Sequence, residues 1–345
     1  MTTTGTLAND RLLRAARGET LRPRPIWMMR QAGRVLPEYR AFREKHSFLD
    51  VSHTPELCAE VTTQPVDRLG VDAAILFSDI LTPLPALGID VDFKPGPVLA
   101  RTLSRGAGVE TLRRADPARD WKFLDGNVRA TLDRLAGRVP LIGFAGAPFT
   151  VACYAIDGGG SKHFSETRAW MHADPDGFRA LLEFLADELA RWLQVQVDAG
   201  VHAFQLFDSW AGLLSPADLE RFALPAARRV LHSVKVPADF PTIYFAPGAG
   251  GALDVQAMLP ARVLGIDWRV DLAEVRRQFP DRPLQGNLDP AVLLGRPETI
   301  RERVGAILDV PGPHIFNLGH GILPETPVQN AELLVRLVHE SGGDA

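Results

Sequence analysis

The chain has 345 residues, 46% of them hydrophobic and 23% charged, with 38 basic against 42 acidic side chains and a formal net charge of −4. That composition excludes disorder as the dominant state and offers no global basic field for nucleic acid. Two cysteines, Cys58 and Cys153, exclude a disulfide framework and a Cys-rich zinc site.

The N-terminal stretch MTTTGTLANDRLLRAARG lacks the apolar core of a signal peptide, and no stretch approaches the roughly 20 apolar residues of a membrane span. The expectation is a soluble cytoplasmic protein. Residues 1–20 are expected to form a poorly ordered tail, and residues 21–345 a single domain.

Short apolar runs then recur along the chain. They are Pro25–Met29, Val71–Phe77, Val139–Phe144, Val201–Phe207, Thr242–Phe245, Val263–Asp267, Pro283–Gly286 and His314–Leu318. Continuous apolar runs of this length suit strands buried on both faces of a parallel sheet. Amphipathic helices lie between them. Over Phe178–Val197, the residues Leu181, Leu182, Leu185, Leu189, Trp192 and Leu193 share one face, with charged residues between. Ser215-Pro216 and Asp289-Pro290 each place a capping side chain before a proline, the signature of a helix start. A short amphipathic helix over Leu333–Val338 closes the chain. Eight runs alternating with helices predict an α/β fold, a single (β/α)8 barrel with its cleft at the carboxyl ends of the strands. A doubly wound open sheet is the structural alternative.

The residues just after the runs are the candidates for chemistry. They are Arg30, Ser78-Asp79, Ala145-Gly146, Asp208-Ser209, Pro247-Gly248, Asp267, Asn287 and Gly319-His320. Arg30 and Arg34, in MRQAGR, present forked donors suited to carboxylates or phosphates, or else form a structural ion-pair cluster. Asp79 reads as an acid, a base, a hydrogen-bond acceptor, a metal ligand or the cap of a following turn. Ser209 reads as a polar contact or a turn cap, and His320 as a catalytic group, a donor or a packed ring. Gly158-Gly159-Gly160-Ser161 reads as a flexible lid or an anion-binding loop, and it lacks the ending of a phosphate-binding Walker loop. No recognised metal-binding spacing occurs.

PIWMMRQAGRVLPEYR and GFAGAPFTVACYAIDGGGSK resemble the two signatures of the uroporphyrinogen decarboxylase family. LFSDIL, QLFDSWAG, LQGNLDP and NLGHGILP follow in the same order as in that family. The resemblance implies a (β/α)8 barrel that decarboxylates the four acetates of uroporphyrinogen III without metal or organic cofactor, as a homodimer. It assigns Arg30 and Arg34 to substrate carboxylates and catalysis. It places Gln31, Ala32 and Gly33 along the same stretch, and Arg43 as a further arginine. Asp79 is assigned to the pyrrole N–H groups, with a neighbouring arginine holding it ionised. Tyr154, Ser209 and His320 take the remaining polar contacts, and Phe77, Phe144 and Phe207 the apolar positions around the macrocycle. Two departures stand out. Val35 occupies a position where a tyrosine is common, and FAPGAGG lacks a lysine that many relatives carry. A zinc-dependent cobalamin or coenzyme M methyltransferase of the same superfamily and a non-catalytic tetrapyrrole carrier are the rival readings.

Overall fold

The computed structural model describes residues 7–93 and 96–342. In chain order the strands are β1 (Ala74–Ile75), β2 (Val91–Phe93), β3 (Pro97–Leu99), β4 (Leu141–Gly146), β5 (Ala203–Phe207), β6 (Thr242–Phe245), β7 (Val263–Gly265), β8 (Leu284–Leu288) and β9 (His314–Leu318). Seven of them form one curled parallel sheet in the order β1-β4-β5-β6-β7-β8-β9, while β2 and β3 pair as a separate antiparallel hairpin. The sheet therefore contains seven of the eight predicted runs.

The remaining run, Pro25–Met29, is a single bridge rather than a strand. Pro25 has no N–H to give to a ladder, so pairing centres on Ile26 and its neighbours. Ile26 bridges Phe316 of β9 in parallel. The Phe316 N–H donates to the Pro25 carbonyl at 2.8 Å and the Asp72 N–H donates to the Ile26 carbonyl at 2.8 Å. One short segment thus hydrogen-bonds to the last strand and to the approach to the first.

The register places alternate residues on the concave face: Ile142 against Ala203, Gln205 against Ile243, and Gln285 against Ile315. That face fills with side chains. Ile142, Ala203, Ile243, Val263 and Ile315 pack with Trp27, and above them Phe144 and Phe245 continue the same cluster. A buried polar chain crosses the middle: the Trp27 indole N–H donates to Gln285 Oε1 at 3.0 Å, and Gln285 Nε2 donates to Gln205 Oε1 at 2.8 Å. Each amide of this chain finds a partner, so these buried polar groups are satisfied.

The N-terminal segment corrects one expectation. Residues 1–6 lie outside the described residues, but 7–20 are no loose tail. Arg11–Ala16 is a helix whose Leu12, Leu13, Ala15 and Ala16 are buried in the concave cluster. The sequence RLLRAA sets two apolar pairs a turn apart, and this face plugs the end of the sheet opposite the strands' carboxyl termini. Among the described residues, no helix is long and apolar enough to cross a membrane.

Asp72 fastens this plug. Its buried carboxylate accepts from Asn9 Nδ2 at 2.6 Å, Arg11 Nη2 at 2.6 Å and the Ile26 N–H at 2.8 Å, and it meets His339 Nε2 at 2.9 Å. Burial alone raises its pKa; the His339 contact, the Ile26 N–H and Arg11 outweigh that and hold it below the ordinary range. A depressed folded pKa contributes stability that is present above the ordinary carboxyl value and lost as pH falls through the folded value. Asp72→Ala should cost about 3 kcal/mol in denaturant unfolding at neutral pH, because several donors lose one buried acceptor. The difference from wild type should shrink as the pH is lowered.

Candidate functional site

The carboxyl ends of the strands gather four of the predicted residues, and Arg30 is their hub. Its backbone sits in the left-handed region, at φ 65°, where side chains other than glycine are strained. Gly33 makes this turn possible, since a Cβ there would lie 2.7 Å from the Arg30 carbonyl oxygen. The Arg30 side chain then runs across Gly321, where a Cβ would come within 2.5 Å of Arg30 Cδ. The glycines of MRQAGR and GHG therefore serve one purpose: they clear the path of this arginine. The Ile322 N–H donates to the Met29 carbonyl at 2.9 Å, tying the two segments together.

Arg30 acts electrostatically on Asp79, Tyr154 and His320. Asp79 follows β1 in a turn held by its own neighbours: Asp79 Oδ1 accepts from the Leu81 N–H at 2.9 Å, and the Asp79 N–H donates to the Thr82 hydroxyl at 3.1 Å. The turn-capping reading is thus fulfilled, but only one carboxylate oxygen is engaged in it. Loss of water lifts the Asp79 pKa above the ordinary range, and the Leu81 N–H and Arg30 only partly offset this. The expectation that a neighbouring arginine holds Asp79 low is corrected: Arg30 pulls in that direction, but desolvation prevails.

Tyr154 lies on the helix Pro148–Asp157, between Phe164 at 5.8 Å and Trp210 at 5.9 Å. Burial raises its hydroxyl pKa and Asp79 adds to the rise, while Trp210 and Arg30 oppose it. His320 is half-buried with its pKa lowered, first by desolvation and then by Arg30. Trp268 meets its ring edge-on at 5.9 Å. Phe144 and Phe207 meet at 5.7 Å, and Phe207 meets Phe245 at 6.4 Å. These rings form an aromatic floor on the concave face.

The other predicted residues are distributed differently. Arg34 is exposed, and both it and Arg43 act on Tyr39, so they form a second cationic group around that phenol. Arg43 also donates to the His46 carbonyl. Ala32 is half-buried, packed on the main core. Gln31 is fully buried and committed to backbone: Nε2 donates to the Ala73 carbonyl at 2.9 Å and Oε1 accepts from the Met28 N–H at 2.9 Å. Its side chain is therefore a brace, not a free donor. Phe77 parts from the other two phenylalanines and packs on Phe48 at 5.3 Å and Tyr39 at 5.8 Å. Ser209 is half-buried at the rim between Asp208 and Trp210.

The lid reading of the glycine run is also corrected. Gly159 bridges Val98, and the Leu99 N–H donates to the Gly158 carbonyl at 3.2 Å. The run is pinned to the β2–β3 hairpin.

The sequence reading places Asp208 at a strand end without a role and passes over Trp210 and Trp268. Asp208 is fully buried and accepts from the Thr150 hydroxyl at 2.8 Å and the Tyr244 hydroxyl at 2.9 Å. Burial pushes its pKa up to about 6, with those two hydroxyls pulling against the rise. Trp210 and Trp268 stand just beyond two strand-end acids, and the repeated acid-then-tryptophan pattern was the available signal. Cys58 is buried with its Sγ toward the Phe77 carbonyl, and burial pushes its thiol up to about 12. Among the described residues, no three His, Cys, Asp or Glu side chains are placed to hold a metal ion.

Fold and site together define an α/β protein with a cationic and carboxylate cluster over an aromatic floor, at the carboxyl ends of a parallel sheet. The chain belongs to the uroporphyrinogen decarboxylase family, whose model matches residues 7–341. A uroporphyrinogen decarboxylase from Syntrophotalea carbinolica is 48% identical over 95% of this chain and 96% of that protein. Another, from Geobacter metallireducens, is 46% identical over 96% and 98%. Among solved structures, a methyltransferase from Methanosarcina mazei superposes with a TM-score of 0.80 at 19% identity, over 97% of this chain and 99% of that one. That likeness shows a shared fold.

The Asp79 carboxyl should titrate above the ordinary carboxylate range in a carbon-detected NMR titration. Arg30→Gln should move it further up, because the cation that opposes desolvation is gone.

Proposed function

We propose that this enzyme is a carboxy-lyase that removes carbon dioxide from the four acetate side chains of uroporphyrinogen III, giving coproporphyrinogen III. The observation that carries the reading is the convergence of Arg30, Asp79, Tyr154 and His320 at one end of the sheet. It stands in a chain matched along nearly its whole length by uroporphyrinogen decarboxylases. The sheet is read as a (β/α)8 barrel in which Pro25–Met29 serves as the first stave. The hydrogen bonds of Ile26 and its neighbours to both sheet edges support this. The protein acts in the cytoplasm, as one domain and as a homodimer.

The substrate is a flexible ring of four pyrroles bearing eight carboxylates. Arg30, Arg34 and Arg43 meet these with forked, permanently charged donors. The aromatic floor of Phe144, Phe207 and Phe245 receives the apolar ring edges. Decarboxylation needs somewhere for the electron pair of the breaking C–C bond to go. A pyrrole supplies it once a ring carbon beside the acetate is protonated. The pair then enters the cationic ring as carbon dioxide leaves. The exocyclic carbon afterwards takes up a proton and becomes a methyl group, while the ring carbon gives its proton back.

Asp79 serves the cationic stage. A carboxylate that has lost water is a strong acceptor for pyrrole N–H groups, and it favours positive charge developing beside it. The upward pull on its pKa has the same origin, since both follow from an anion short of donors. His320, with its pKa lowered, is neutral near pH 7 and offers one N–H to a substrate carboxylate. Tyr154, whose hydroxyl stays protonated, offers another.

The test is an anaerobic assay with uroporphyrinogen III in which products are separated by carboxylate number. Stepwise loss of four carboxylates is expected, and no loss overturns the reading. Asp79→Asn should retain substrate binding and lose about 100-fold or more in kcat. Arg34→Lys should lower kcat/KM about tenfold, because a point charge does not replace a fork.

A further inference from the structure

The rim holds a fourth arginine, Arg269, that the family resemblance does not assign. Arg269 lies two residues beyond Asp267, just past the carboxyl end of β7. Its guanidinium carbon stands 3.7 Å from the centroid of the Trp268 ring, a close cation–π stack. Its Nη1 lies 3.3 Å from Asp267 Oδ2, and its backbone N–H donates to Asp267 Oδ1 at 2.7 Å. Asp267 is itself buried and also accepts from the Gly248 N–H. A side chain that is ordinarily free to swing is therefore held by the ring stack and by the Nη1 contact, on a platform that is partly buried.

The platform faces the site. The Trp268 ring that carries the guanidinium meets His320 edge-on at 5.9 Å, and Arg30 crosses Gly321, the residue after that histidine. Both arginines act on His320 and lower its pKa. Arg269 remains about half exposed, and among the described residues only Nη1 of its guanidinium has a protein acceptor. An ordered cation with outward donors beside the substrate groups is a binding element rather than a brace, because a brace would spend its donors inward.

We propose that Arg269 binds a carboxylate of the substrate, as a second cation beside His320, reached from the β7 end, in addition to Arg30. The inference rests on the decarboxylase reading and names one more point of contact for its polyanionic substrate. The stack on Trp268 keeps the fork in one orientation, so little side-chain freedom is lost on binding.

The experiment compares wild type, Arg269→Gln and Trp268→Phe by steady-state kinetics with uroporphyrinogen III and by thermal unfolding. Arg269→Gln keeps a hydrogen-bonding side chain for Asp267 while removing the charge. It should raise KM about tenfold, as expected when a charge-assisted hydrogen bond is lost. Its kcat should stay within about twofold and its Tm should match wild type. Trp268→Phe should raise KM by a smaller factor, since a smaller ring face orients the fork less well. Raising the salt concentration should increase KM for wild type more steeply than for Arg269→Gln. An unchanged KM, a loss confined to kcat, or a loss explained by a lower Tm overturns the proposal. A wild-type enzyme that leaves uroporphyrinogen untouched overturns the decarboxylase reading instead, so the two failures are distinguishable.

Discussion

Much of the molecule depends on the hydrogen bonds of one short segment, Pro25–Met29. Through Pro25, Ile26 and Trp27 it joins Phe316 of the last strand to Asp72 before the first. Everything that follows in the chain inherits its position. Arg30 comes directly after it, turned into the left-handed region, and reaches over Gly321 because the Met29 carbonyl is already bonded to Ile322. The same segment sends Trp27 into the interior, where it opens the polar chain through Gln285 and Gln205. Packing on one side and chemistry on the other are consequences of a single joint.

Two buried carboxylates and the half-buried Asp79 show how the protein sets their charge state. Asp72 is in contact with Arg11 and His339, and its pKa falls below the ordinary range. Asp208 has only hydroxyl and backbone partners and is pushed up to about 6. Asp79 lies between these cases: it has one backbone donor and Arg30 acting without a direct bond, and its pKa rises. Lost hydration is common to all three. What differs is whether a cation touches the carboxylate, since only a close opposite charge overcomes the lost hydration. A directly paired Asp79 would be a better anchor and a poorer partner for a substrate N–H.

The strands and the strand-end residues were legible because a parallel sheet buries both faces and writes continuous apolar runs. Seven runs became strands, and the long helix Pro175–Ala199 encloses the predicted Phe178–Val197. Pro25–Met29 reads like the others in composition, but its proline leaves it with a single bridge. Leu12 and Leu13 were overlooked because two leucines among arginines carry no strand signal. Their burial is decided by the open end of the sheet, which the sequence does not display locally. Gln31 illustrates the same limit at the site. Its neighbours Arg30 and Arg34 face outward, yet its amide turns in to satisfy Met28 and Ala73. Phe77 was grouped with Phe144 and Phe207 by motif alone, and it is the turn after β1 that sends its ring to Tyr39 and Phe48 instead.

The β2–β3 hairpin has a wider effect than its six residues suggest. It leaves the chain shortly after Asp79, and its return strand bonds to Gly158 and Gly159 at the end of the helix that carries Tyr154. A few residues on, the Leu103 N–H donates to the Ala155 carbonyl at 2.8 Å, beside Tyr154 itself. The carboxyl and the phenol are therefore mounted on one laced frame, and their spacing is set before any ligand arrives. On the decarboxylase reading, such a frame is a fixed jig, to which the substrate ring has to bring each acetate in turn.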